Sequence, residues 1–125
     1  MNDRTTYFDR IGEENLRKLI HDFYENIASD PVMRPMYPMN LAPAEERLYL
    51  FMQQYLGGPQ TYNELRGHPR LRQRHFPFPV DLNARAHWMD CMMRAMRKNP
   101  MDDESKAFLE SYFEDTATFL LNRPN

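Results

Sequence analysis

The stretch Ala44–Met92, AEERLYLFMQQYLGGPQTYNELRGHPRLRQRHFPFPVDLNARAHWMDCM, decides how this chain folds. Its opening has helical period. Ala44, Leu48, Phe51, Met52 and Tyr55 fall on one side of a helix that starts near Pro43, a residue favoured in a first turn. Gly57-Gly58-Pro59 stops that helix. The closing part predicts another helix, LNARAHWMDCMMRAMR, capped by Asp81 and carrying Trp88, Cys91, Met92, Ala95 and Met96 along one face. Between them, residues 57–82 are punctuated by prolines and allow only short helical turns, around Tyr62–Leu65 and Leu71–His75. Connections of this length are uncommon in a compact domain and are usually functional.

Upstream, Leu16, Leu19, Ile20, Phe23, Tyr24 and Ile27 form a wide apolar stripe at helical spacing, after a break at Gly12 and before a stop at Pro31. PVMRPMYPMN (31–40) holds three prolines, so it is a turn-like connection presenting Tyr37 and not a long helix. Downstream, Asp102 or Asp103 opens a last helix carrying Leu109, Tyr112, Phe113, Thr116, Phe119 and Leu120. No strand-like alternation and no repeat is present. The pattern predicts an all-α fold in which crossed helix pairs make two layers, with the 57–82 connection filling one side. The 125 residues read as one domain, enough to bury about two-thirds of the extended chain's surface.

A formal charge of -2 and a pI near 6.1, with basic residues scattered among acids, give no nucleic-acid footprint. The lone cysteine, Cys91, excludes an internal disulfide and a cysteine-only zinc site. The charged N-terminal segment has no apolar signal core, and no apolar run approaches bilayer length; the expectation is a cytoplasmic protein without an integral membrane segment. Ten methionines and sixteen aromatics suit either an irregular core or the walls of a large flat ligand.

Paired histidines, a nucleophile elbow and a phosphate-binding glycine loop are all missing. His21 lies on the polar side of its helix, and His68 sits in a turn. His87 and Cys91, at i and i+4, make a poor zinc site without further ligands. His75 keeps different company. Leu71 shares its face in a helical turn, Phe76, Phe78 and Val80 follow, and Pro77 and Pro79 fix the chain's exit. This suits an imidazole ligating iron in a flat macrocycle, with Arg72 and Arg74 available to carboxylates at its rim. A surface turn whose histidine ligates nothing is the competing reading. Tyr24, Tyr37 and Trp88 each join an apolar ring to a hydrogen-bond donor, which suits either core packing or a gas-binding pocket.

The run AEERL…QYLGGP…Y…RGHPRLR.RH.PF, followed by a helix with a tryptophan, closely resembles the truncated haemoglobins of group II, the two-on-two helical globins. The similarity extends upstream through FYENIASDPVMRPMY (23–37), and the chain has the family's length. The resemblance implies a two-on-two helical sandwich around haem b. It implies His75 as the proximal iron ligand, and Tyr24, Tyr37 and Trp88 as the distal donors. Ala44 matches the small residue at the distal opening, and Leu48 the apolar residue above the iron. Arg47, Tyr62 and Arg74 match positions near the haem propionates, while Phe51, Met52, Leu71 and Phe78 match the pocket lining. Gly12 stands alone where relatives often have a glycine pair, and Leu56 stands where close relatives can have tryptophan.

The resemblance implies O2 as ligand, with NO, CO and sulfide as others, held by donors strong enough to slow release. Such a protein suits sensing, scavenging or redox chemistry better than bulk oxygen transport. Reversible binding and enzymatic turnover, as an NO dioxygenase or a peroxidase, are both implied. With no flavin or nicotinamide domain in the sequence, turnover needs an external reductase. Relatives are often monomers or homodimers. The reading from a different class is a non-haem helical interaction module with a methionine-rich face.

Overall fold

The computed structural model describes residues 6–67 and 80–122. Among these residues every regular element is helical: α1 (Tyr7–Ile11), α2 (Glu13–Ser29), a 3-10 turn (Arg34–Met36), α3 (Ala42–Tyr55), α4 (Thr61–Arg66), α5 (Leu82–Lys98) and α6 (Asp103–Phe119). His75 and the turn around it, with His68, Leu71, Arg72, Arg74, Phe76 and Phe78, lie outside the described residues.

The helices begin where side chains satisfy their first N–H groups. Asp81 accepts from the Ala84 N–H at 2.8 Å, and Asp102 accepts from the Ser105 N–H at 2.8 Å. α1 is a further helix that apolar spacing does not reveal. Its signal is the pair Thr6 and Asp9, three residues apart, whose side chains each accept from the other's N–H. At the end of α3 the two glycines have separate reasons. Gly57 has φ +97, a left-handed conformation, and a Cβ on Gly58 would meet the Gln53 carbonyl oxygen at 2.9 Å. Phe8 N–H then bonds the Leu56 carbonyl at 2.9 Å and ties α1 to this end of α3.

The stripe on α2 is buried as its spacing predicts, from Leu16 to Ile27. It packs most extensively on α5, whose buried face is Ala84, Cys91, Met92, Ala95 and Met96. α2 also packs on α3, and α5 on α6, so two helix pairs lie one on the other. Asn99 closes this interface at the end of α5. It is buried, donates to the Ala95 carbonyl and to Asp22 Oδ2, and accepts from Lys18 Nζ.

Two predicted faces need correction. On α3 the sequence places Tyr55 with the apolar side, yet it is 44% exposed, while Tyr49 and Gln53 are buried. On α6, Phe119 is 54% exposed and Ala117 is buried. Both helices are flanked on one side by a helix and on another by a cavity. A single stripe cannot report two buried sides.

Candidate functional site

A cavity of about 640 Å³ lies between the helix pairs, within the size range of small-molecule and cofactor sites. Tyr24, Tyr37, Ala44, Arg47, Leu48, Phe51, Met52, Tyr62 and Trp88 all line it. These are all the sequence-predicted site residues that the structure describes; Leu71, Arg74, His75 and Phe78 are outside it. Residues far apart in the chain thus meet at one surface because α2, α3 and α5 converge there.

The rings make a continuous wall. Phe23 meets Tyr24 and Trp88 edge to face, both at 5.1 Å between centroids, and Trp88 meets Phe113 at 5.6 Å. Tyr37 crosses Tyr24 nearly perpendicularly at 5.8 Å. Arg34 holds the turn that presents Tyr37, its guanidinium donating to the Tyr37, Pro38 and Met39 carbonyls at 3.3, 3.0 and 2.8 Å.

Three polar atoms matter inside this apolar wall. The Trp88 indole can only donate, and it lies near enough to the Tyr37 hydroxyl to favour that phenol's ionised form. The Tyr37 hydroxyl can therefore accept from Trp88 and still keep its own O–H proton to donate. Burial pushes Tyr37 up to about 12, against the opposing pull of the Trp88 bond. Burial likewise pushes Tyr24 well above the ordinary phenol range. Its hydroxyl has no hydrogen-bond partner among the described residues. Both phenols stay protonated at neutral pH.

Two arginines line the cavity and differ in their freedom. Arg85 is committed to α6, donating to Thr118 Oγ1 at 3.0 Å and to the Glu114 carbonyl at 3.1 Å. Arg47 has no ion pair or hydrogen bond among the described residues, so its cation is available to an anionic group. His87 and Cys91 do not form a metal site. His87 Nδ1 donates to Asp30 Oδ2 at 2.9 Å, and burial raises the Cys91 thiol to about 11. Among the described residues no group of three or more His, Cys, Asp or Glu can hold a metal ion, and no helix is long and apolar enough to cross a membrane.

Sequence reasoning missed the wall contributed by α6. Tyr112 and Thr116, with Leu120 just past the helix end, stand four residues apart and line the cavity. The spacing was visible, but it reads equally well as a core stripe. Met33, Met36, Ala84 and Arg85 also line the cavity and were missed.

The fit to a flat macrocycle can be judged on this geometry. The cavity is large, mostly apolar and aromatic, and its wall carries a cation and a phenol hydroxyl that have no hydrogen-bond partner among the described residues. The residues present fit haem.

Comparison with known proteins agrees. A family model described as bacterial-like globin matches residues 6–122. The chain is 40% identical over 116 residues to group 2 truncated hemoglobin YjbI of Bacillus subtilis (strain 168), covering 93% of this chain and 88% of that protein. Among solved structures, the group II truncated hemoglobin from Bacillus anthracis superposes with a TM-score of 0.95 at 33% identity, covering 99% of this chain and 96% of that one. The truncated oxygen-avid haemoglobin from Bacillus subtilis superposes with a TM-score of 0.90 at 39% identity, covering 94% and 99%.

Proposed function

Because the chain belongs to the bacterial-like globin family, as a group II truncated haemoglobin with the two-on-two fold, we propose that it is a gas-binding redox protein with a Tyr24–Tyr37–Trp88 donor network. Its cofactor is haem, and it binds small ligands through it. Membership of this family sets aside the reading as a non-haem interaction module.

In this reading His75 holds the iron, Arg47 and Arg74 with Tyr62 meet the propionates, and Leu48, Phe51, Met52, Leu71 and Phe78 line the plane. Ala44 leaves an opening for the ligand. When bound, haem supplies an iron that takes diatomic ligands and changes oxidation state. The chain supplies the rest. Trp88 donates to Tyr37, which polarises the Tyr37 O–H and strengthens what it donates next. Tyr24 offers a second O–H with no competing partner. The aromatic wall keeps water from these donors, so negative charge developing on a bound gas is met by fixed dipoles.

The single observation that carries the proposal is this convergence of two protonated phenols and an indole N–H on one apolar cavity. Two charge-assisted bonds of about 1.5–3 kcal/mol each slow ligand release by orders of magnitude. Slow release favours oxidation of NO by bound O2, or peroxide chemistry, over oxygen delivery. The reading extends to a cytoplasmic monomer or homodimer served by a separate reductase.

Rapid mixing of the oxygenated protein with NO, followed by a reductant such as a flavoprotein reductase with its nicotinamide, tests turnover. Nitrate formed over many cycles is expected; loss of the gas without nitrate sinks the redox part. His75→Gly is expected to lose or loosen haem until free imidazole is added. Retention of an unchanged haem spectrum by that variant rules out His75 as the ligand.

A further inference from the structure

Asp30 ends α2 and is buried, yet both its carboxylate oxygens are used. Oδ1 accepts the N–H groups of Val32 and Met33, each at 2.9 Å, while the Asp30 carbonyl accepts the Arg34 N–H at 2.9 Å. The turn that carries Met33, Met36 and Tyr37 to the cavity is therefore wound around this one residue. Oδ2 faces the other way, toward α5. It accepts from His87 Nδ1 at 2.9 Å, and the Cys91 Sγ lies one helical turn on at 3.9 Å. His87 immediately precedes Trp88 in α5.

We infer that Asp30 and His87 are a positioning pair, setting the separation of Tyr37 and Trp88 and hence the strength of the donor network. The inference rests on the proposed function of those donors and adds a cause for their geometry. One carboxylate bridges two elements: the turn that ends at Tyr37 and the helix that carries Trp88. The pair is not what holds α2 to α5. The buried faces do that, together with Asn26 Nδ2 donating to the Cys91 carbonyl at 2.9 Å. A buried, charge-assisted pair adds little stability over an apolar replacement, and its best-supported use is to select one geometry. Because carboxylate accepts, His87 carries its proton on Nδ1, and the Nε2 edge is left to the half-exposed side of the residue. Nothing of the pair touches the cavity, so its effect passes through its neighbours.

The haem-loaded carbonyl form of the full chain tests this. Trp88 is the sole tryptophan, so its indole N–H gives one resonance in a 1H–15N spectrum. The C–O stretching band reports the donors from the ligand's side. In His87→Leu the indole resonance is expected to move, the C–O band to shift or split, and O2 release to quicken by about fivefold, with haem content unchanged. His87→Asn, which keeps a donor near the Nδ1 position, is expected to restore the wild-type band. Asp30→Asn retains Oδ1 for Val32 and Met33 but presents an N–H to His87. It is expected to resemble His87→Leu in milder form, and it serves as the second test where His87→Leu does not fold. A wild-type resonance and band in both variants, with only a lower melting temperature, overturns the inference. Trp88→Phe separates the two ideas. A C–O band unmoved by Trp88→Phe sinks the donor network itself, whereas a band moved by Trp88→Phe but not by His87→Leu sinks only the positioning pair.

Discussion

Trp88, on α5, and Tyr37, in the turn after α2, line the same cavity, and the Trp88 indole N–H favours the ionised form of the Tyr37 hydroxyl. Removal of that N–H is the most direct probe of the site. Trp88→Phe keeps a ring against Phe23 and Phe113 while deleting the donor. O2 release, followed by stopped flow, is expected to accelerate roughly tenfold to a hundredfold, the equivalent of one lost charge-assisted bond. An unchanged rate removes the indole from the network.

Arg47 is the cation in the cavity wall without a partner among the described residues. Arg47→Leu keeps an apolar stem and deletes the charge. Transfer of haem to an excess of a scavenging protein is expected to run about three- to tenfold faster, as for one exposed charge-assisted bond. Equal transfer rates place the propionates elsewhere.

Among the described residues, three carboxyls sit below the usual carboxylate range. For Asp22, burial pushes upward but bonds from Asn99 and Lys18 outweigh it. For Asp30, burial is outweighed by His87 and the Met33 and Val32 N–H groups. Asp102 is held down by Ser105. A native value below the unfolded one contributes stability that is full above about pH 4 and is lost as pH falls through the native value. Urea midpoints are expected to stay level down to about pH 5, as far as these groups decide, and to fall below about pH 4. Asp22→Asn is expected to flatten that acid limb; an unaltered limb contradicts the assignment.

Leu109 is fully buried on α6. Leu109→Ala is expected to destabilise the fold by about 2–5 kcal/mol through lost burial and the void left behind. Chemical denaturation measures this. Because Leu109 is not part of the cavity wall, the C–O band of the carbonyl form is expected to stay put.

The α2 stripe from Leu16 to Ile27 was legible because α5, α3 and the cavity all lie against its one apolar side, so period and burial coincide. The caps at Asp81 and Asp102 were legible because an N-cap acts within a few residues. Tyr24, Tyr37 and Trp88 stood out as rings bearing donors, and the family pattern tied them together. α3 and α6 were only half legible. Tyr49 and Ala117 pack, Tyr55 and Phe119 are exposed, and no one-dimensional pattern separates a side facing a helix from a side facing a cavity.

Sequence by itself determined the four long helices, the caps at Asp81 and Asp102, the breaks at Gly12 and Gly57-Gly58-Pro59, and, through the motif around His75, the family. These rest on local rules: apolar period, capping chemistry and backbone freedom act over a turn or two. Tertiary structure alone decided that Asp30 would reach His87, that Trp88 and Tyr37 would line one cavity, that Arg47 would have no partner among the described residues while Arg85 is tied to α6, and that α6 would supply a wall. Those contacts join residues distant in the chain. Their partners are chosen by how helices cross and how far each side chain reaches, which spacing along the chain does not encode.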